Sequence, residues 1–233
     1  MRTWAACICV ALGLAPAARG DVEGLVRDLR SKDPDQRRTA AIELGKMGAA
    51  AKVATDALAR SLRDEDPFVR RFAAQALGEI GPAARRAVPA LASALRDRDK
   101  RVVSAAAAAL GKMGPGGVKA LTDLAKDASK PAEARRLAVE SLGKIGPDAK
   151  DAVPALVEML QGKGKGKPKR PKQMTDADRV LRLEVVQTLG KIGPEATDAV
   201  KPLEEIVANK KERDRSVKQA ARVSLRQIKG GAK

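Results

Sequence analysis

A five-residue string recurs along this chain, as LGKMG at Leu44, LGEIG at Leu77, LGKMG at Leu110, LGKIG at Leu142 and LGKIG at Leu189. Successive leucines stand 33, 33, 32 and 47 residues apart, and a degenerate copy at Leu225 follows after 36. Periods of this size mark arrays in which no unit can bury its apolar face alone, so that stacking of neighbours makes the core. Four residues before each landmark leucine stand Ala40, Ala73, Ala106, Ala138, Val185 and Ala221, and three after it stand Met47, Ile80, Met113, Ile145, Ile192 and Ile228. Apolar positions at i, i+4 and i+7 share one helical face, with a small residue where neighbouring backbones approach. The apolar content is mostly Ala, Leu, Val and Ile among many Lys, Arg and Glu, with 1% aromatics, which is a helix-former's mixture with no strand pattern. The expected fold is all-α, an α-solenoid of about six stacked antiparallel helix pairs.

The landmark belongs to the second helix of each pair. Gly48, Gly81, Gly114, Gly146 and Gly193 after it suit a left-handed C-cap, and proline follows four of them at Pro82, Pro115, Pro147 and Pro194. The first helices carry Leu25 and Leu29, Leu58 and Leu62, Leu91 and Leu95, Leu121 and Leu124, Leu156 and Leu160, and Leu203 and Ile206. Pro89, Pro154 and Pro202 stand just before three of these pairs, where a first-turn proline loses no hydrogen bond. Eleven residues before each landmark lie Asp33, Asp66, Asp99, Pro131, Asp178 and Asp214, read as helix N-caps. Four further on come Arg37, Arg70, Val103, Arg135, Arg182 and Lys218, whose exposed basic members should add only tenths of a kcal/mol each.

The run DxDxxVR at Asp64 to Arg70, followed by LGEIGP at Leu77 to Pro82, resembles the HEAT repeats of the phycobilisome-lyase type. The resemblance covers roughly residues 21 to 230 and implies a HEAT-like superhelix whose second helices line the inner face. For function it implies much less, because the family spans lyase subunits, hydroxylases and scaffolds.

The first twenty residues read as a secretory signal peptide. Arg2 gives a positive start, Trp4 to Ala15 form an apolar core, and Ala18 and Gly20 suit cleavage, placing the mature start near Asp21. An apolar stretch of this length makes a helix of about 18 Å, short of the ~30 Å of a bilayer core. The expected organisation is therefore a signal at 1–20 and a repeat domain at 21–233, with an exported, periplasmic or secreted location. Cys7 and Cys9 both lie in the leader, leaving no disulfide or thiolate site in the mature chain, whose aromatics are Phe68 and Phe72.

Positive charge is concentrated in two places. Residues 162–172 carry Lys163, Lys165, Lys167, Lys169, Arg170 and Lys172 with no acidic residue, inside a basic insertion at about 161–174 that stretches the repeat spacing to 47. Residues 209–233 carry nine basic and two acidic groups, Lys210 and Lys211 among them, and the remaining repeat body is close to neutral. Gly, Lys and Pro at this density cannot pack a core and predict a mobile loop. It reads either as a solvated linker or as a polyanion-binding loop, and the C-terminal cluster either as the same or as the polar cap a solenoid needs.

Catalytic signals are missing. No histidine is present, which removes the usual general base and imidazole ligand. The repeated His-Glu pairs of the deoxyhypusine hydroxylases, which resemble this fold, have no counterpart here. A bilin lyase needs an intracellular partner, and the HEAT-like DNA glycosylases use aromatic and carboxylate residues around the extruded base, whereas the mature chain has no Trp or Tyr. Asp64 with Asp66, and Asp97 with Asp99, read as caps and loop solvation rather than acid–base pairs. The expected function is a non-catalytic scaffold without cofactor, metal or small-molecule substrate. It would bind a protein, or an anionic polymer or membrane surface, through its inner face and Lys-rich loop. The alternatives are a nucleic-acid binder, favoured by pI near 10.2 but opposed by the leader and the lack of stacking aromatics, and a non-catalytic enzyme subunit.

Overall fold

The computed structural model describes residues 17–162, 175–209, 212 and 214–230. Among them are twelve α-helices and no strand, in six antiparallel pairs. The first helices are α1 (Ala17–Asp28), α3 (Thr55–Ser61), α5 (Val88–Ala94), α7 (Val118–Lys126), α9 (Val153–Leu160) and α11 (Val200–Ala208). The second helices are α2 (Pro34–Lys46), α4 (Pro67–Ile80), α6 (Lys100–Lys112), α8 (Ala132–Ile145), α10 (Asp176–Ile192) and α12 (Arg215–Gly230). Each second helix packs along its length on the second helix of the next unit, whereas successive first helices meet only at a few residues. The stack therefore curves with its second helices inside.

The landmark leucines Leu44, Leu77, Leu110, Leu142 and Leu189 are all fully buried, as are the small residues four before them except Ala40 and Val185, which are nearly so. Leu225, in the degenerate sixth copy, is only partly buried. The alanine column is expected to mark the close approach of second helices, and the glycine directly after the landmark marks a further one, closest to backbone at Gly45, Gly78 and Gly190. A Cβ added at Gly45 would lie 3.2 Å from the Cα of Ala76, and one at Gly78 would lie 3.0 Å from the Cα of Ala109. At Gly190 it would stand 2.9 Å from the Cα of Ser224 and 2.6 Å from its Oγ, the hydroxyl that donates to the Val186 carbonyl at 2.8 Å. Gly190→Ala is thus expected to cost about 1 to 3 kcal/mol through overpacking, even though alanine is the better helix former. Gly24→Ala in α1, where nothing lies within 4 Å, should gain roughly 0.5 to 1 kcal/mol. Urea denaturation of both variants checks the opposite signs.

The glycine that ends each landmark has positive φ, as expected, but in three of the five the conformation is not left-handed helical. Gly81, Gly146 and Gly193 sit at φ 67°, 71° and 73° with ψ −141°, −137° and −139°, a region open essentially to glycine alone. The chain then runs into a 3₁₀ segment leading to the next first helix, as in Gly81–Ala87 and Gly146–Ala152. The corresponding segment Gly114–Gly117 is three residues shorter than Gly81–Ala87, which shortens that part of the unit spaced 32 from the next.

The aspartate column behaves as caps at Asp33, Asp66, Asp99 and Asp214, whose carboxylates accept amide N–H groups of the first helical turn at 2.7 to 3.2 Å. Burial works to raise the Asp66 pKa, but the amides of Val69 and Phe68 outweigh it and the net shift is downward. Asp178 departs from expectation. Helix α10 starts a turn earlier, Thr175 is its N-cap, and Asp178 is the third helical residue, closing a capping box with Thr175. Part of the 47-residue spacing is therefore extra helix.

The basic column needs a larger correction. Arg37 and Arg70 are buried and reach forward to the next unit rather than back to their own caps. Arg37 makes two bonds of 2.8 Å to Asp64, and Arg70 bonds of 2.8 and 3.0 Å to Asp97. The Nη1 of each donates to two carbonyls of its own interhelix turn, Ser31 and Lys32 for Arg37, Asp64 and Glu65 for Arg70. The hydrogen bond to Asp64 raises the Arg37 pKa against the opposing effect of burial. Arg182 likewise reaches Glu212 at 2.6 Å. Between units three and four both halves of the rung are lost together, with Val103 in place of the arginine and Ser129 in place of the aspartate.

Candidate functional site

Stacking fixes which residues the inner face presents. On each second helix the landmark leucine, the alanine before it and the close-contact glycine face the core, so the residues two and six before the leucine and two after it face the concave side. Apart from Arg38, across α2, α4 and α6 these are Ile42 and Lys46, then Arg71, Gln75 and Glu79, then Ser104, Ala108 and Lys112. They line a groove of about 870 Å³ together with Phe72, Ala105 and Arg101. Its floor is apolar, from Ile42, Phe72, Ala105 and Ala108, and its walls are polar and mostly cationic.

Ion pairs tie down part of that charge. Lys46 meets Glu43 at 2.7 Å on α2, and Lys112 crosses from α6 to Glu79 of α4 at 2.6 Å. Arg101 grips Asp99 at 2.9 Å, and the Arg101 side chain and amide together draw the Asp99 carboxyl down to about 2 while the Arg101 pKa rises. Arg71 instead lies over the Phe72 ring, 5.1 Å from its centroid. The groove offers shaped apolar contact with guanidinium and ammonium groups around it, the chemistry of recognition. Among the described residues no group of three or more His, Cys, Asp or Glu could hold a metal ion, and no helix is long and apolar enough to cross a membrane.

The eight residues expected to form the polyanion site, Lys163, Lys165, Lys167, Lys169, Arg170, Lys172, Lys210 and Lys211, lie outside the described residues. In the sequence the first six stand between α9 and α10, and Lys210 and Lys211 stand between α11 and α12. Reading the sequence for charge runs overlooked the groove. A signal is present in the sequence, since Phe68 and Phe72 stand four residues apart on one helical face and outside the repeated landmark columns.

A solenoid of stacked helix pairs with an open inner groove is the class that fold and surface define. The model of the HEAT repeats matches residues 22–111, 62–131 and 88–166, more than half of the chain. The chain belongs to the HEAT-repeat family. No curated protein matches it. Among solved structures it is similar to an engineered protein at 25% identity, covering 91% of this chain and 97% of that one with a TM-score of 0.57. A designed armadillo repeat protein is 16% identical over 89% of this chain and 99% of its own, with a TM-score of 0.53. The complex of CpcE and CpcF of phycocyanin lyase from Nostoc sp. is 24% identical, covering 98% of this chain and 82% of that one, also at 0.53. At that identity the likeness is one of fold, in line with the HEAT-like superhelix expected from the repeats.

Proposed function

We propose that this protein is a non-catalytic, exported adaptor that holds a protein partner in the groove over α2, α4 and α6 and engages an anionic envelope component through its Lys-rich connection. The observation that carries the reading is the groove itself, an apolar floor with polar, mostly cationic walls. Export rests on the sequence of the leader, and cleavage after Gly20 would leave Val22, a buried residue of α1, in place. The Lys-rich reading is supported by the charge of the sequence, six basic and no acidic residues over 162–172.

The test is partner capture. Protein tagged at its C-terminus is recovered from the envelope fraction, with an intact mass expected to match a start near Asp21. It is then compared with Ala108→Arg, which fills the exposed groove floor with a good helix former. The partner should be retained by the wild type and lost by the variant; retention by both, or Met1 still present, contradicts the proposal. Deleting residues 163–172 should leave the groove partner bound and change stability by less than about 1 kcal/mol, because closure entropy varies slowly with loop length. The deletion should weaken binding to heparin, anionic vesicles and DNA at low salt and flatten the salt dependence. Unchanged affinity and salt slope for all three would reduce the insertion to a linker.

A further inference from the structure

Beyond residues 1–20 the chain has two aromatic side chains, Phe68 and Phe72, and both lie one turn apart on the inner face of α4. Phe68 is 36% exposed, and Phe72 is half-buried, packed on the core and lining the groove at once. Guanidinium groups from both neighbouring second helices cover Phe68, Arg38 at 4.8 Å and Arg101 at 5.0 Å from the ring centroid, while Arg71 covers Phe72. Aromatic and arginine side chains presented together are the usual anchors of binding energy at interfaces. A guanidinium stacked on a ring keeps its N–H edge available for a carboxylate, so stacking aims the cation without using it up. Arg101 and Lys112 already have Asp99 and Glu79, but among the described residues Arg71 has no ion-pair partner. The groove lining counts four cations, Lys46, Arg71, Arg101 and Lys112, against the single carboxylate Glu79.

We propose that the groove takes an acidic, extended segment of a protein partner, with an apolar side chain seated against Phe72 and flanking carboxylates on Arg71 and Arg101. This rests on the adaptor reading above and narrows it to one class of segment. Three second helices at the usual spacing of about 8 to 10 Å span roughly 20 Å, the length of about six extended residues. The apolar floor favours a peptide over a sulfated or phosphorylated chain, which has nothing to place against Ile42, Phe72 and Ala108.

A random peptide library displayed on phage and panned on the full chain tests this. Selected sequences should carry two or more Asp or Glu around a Leu, Phe or Trp. A dye-labelled selected peptide should bind Arg71→Glu about tenfold or more weaker than wild type, since opposed charges are replaced by like ones. Arg71→Lys, which keeps the charge and loses the planar stacking face, should weaken it less. Circular dichroism and the denaturation midpoint, expected unchanged, show that the variants fold. Neutral or basic peptides that Ala108→Arg displaces would overturn the acidic occupant while leaving the groove as a binding surface. Acidic peptides indifferent to Arg71→Glu, or heparin binding that depends on Arg71 as strongly as peptide binding does, would also overturn it. No selected peptide, or only peptides indifferent to Ala108→Arg as well, would overturn both the occupant and the groove.

Discussion

Arg70→Ala is expected to lower the free energy of unfolding by about 3 kcal/mol, the cost of orphaning one member of a buried ion pair. The side chains of Arg70 and Asp97 are 7% and 11% exposed, and Arg70 also satisfies the carbonyls of Asp64 and Glu65 at 2.8 and 3.0 Å. Truncation leaves Asp97 desolvated with no cation and strands two turn carbonyls, although Asp97 keeps the Asp99 amide at 2.8 Å. Removing both charges, as Arg70→Met with Asp97→Asn, should recover much of the loss. The pair joins units two and three, so its rupture should also lower the urea m-value by loosening nearest-neighbour coupling in the array. A cost below about 1 kcal/mol would mean the pair is solvated and the residue adds only surface electrostatics.

Leu110→Ala is expected to cost about 2 to 5 kcal/mol. Leu110 is fully buried at the centre of the array, with the Gly117 backbone packed directly on it and close helix contacts on either side through Gly78–Ala109 and Gly111–Ser141. Backbones already this near leave little room for collapse into the cavity, which favours the upper part of that range. Leu225→Ala in the last unit, where the same column is only partly buried, should cost no more than about half as much. Chemical denaturation compares the two, and equal costs would show that the column is not one continuous core.

Periodicity made the helix pairs, their order and the buried leucines legible, because each column repeats one physical requirement five or six times. What it could not convey is direction. An aspartate and an arginine four apart look like a helix-surface pair, yet Arg70 reaches Asp97, 27 residues on, since only stacking reveals that the next unit's turn lies over it. Asp178 looked like another cap because its column said so, and the extra turn starting at Thr175 shows only in the fold. The candidate site divides the same way. Charge runs are visible as composition, and they drew attention to Lys163 through Lys172. The groove is assembled from single residues of three units, Ile42, Phe72 and Ala108 among them, that mean nothing until α2, α4 and α6 are side by side.

Hydrogen–deuterium exchange of the full chain with and without its captured envelope partner distinguishes recognition by the inner face from recognition elsewhere. Slower exchange in α2, α4 and α6 is expected on binding, with α3 and α5 on the outer side unchanged. Protection confined to the outer helices, with none in α2, α4 and α6, would contradict recognition by the inner face.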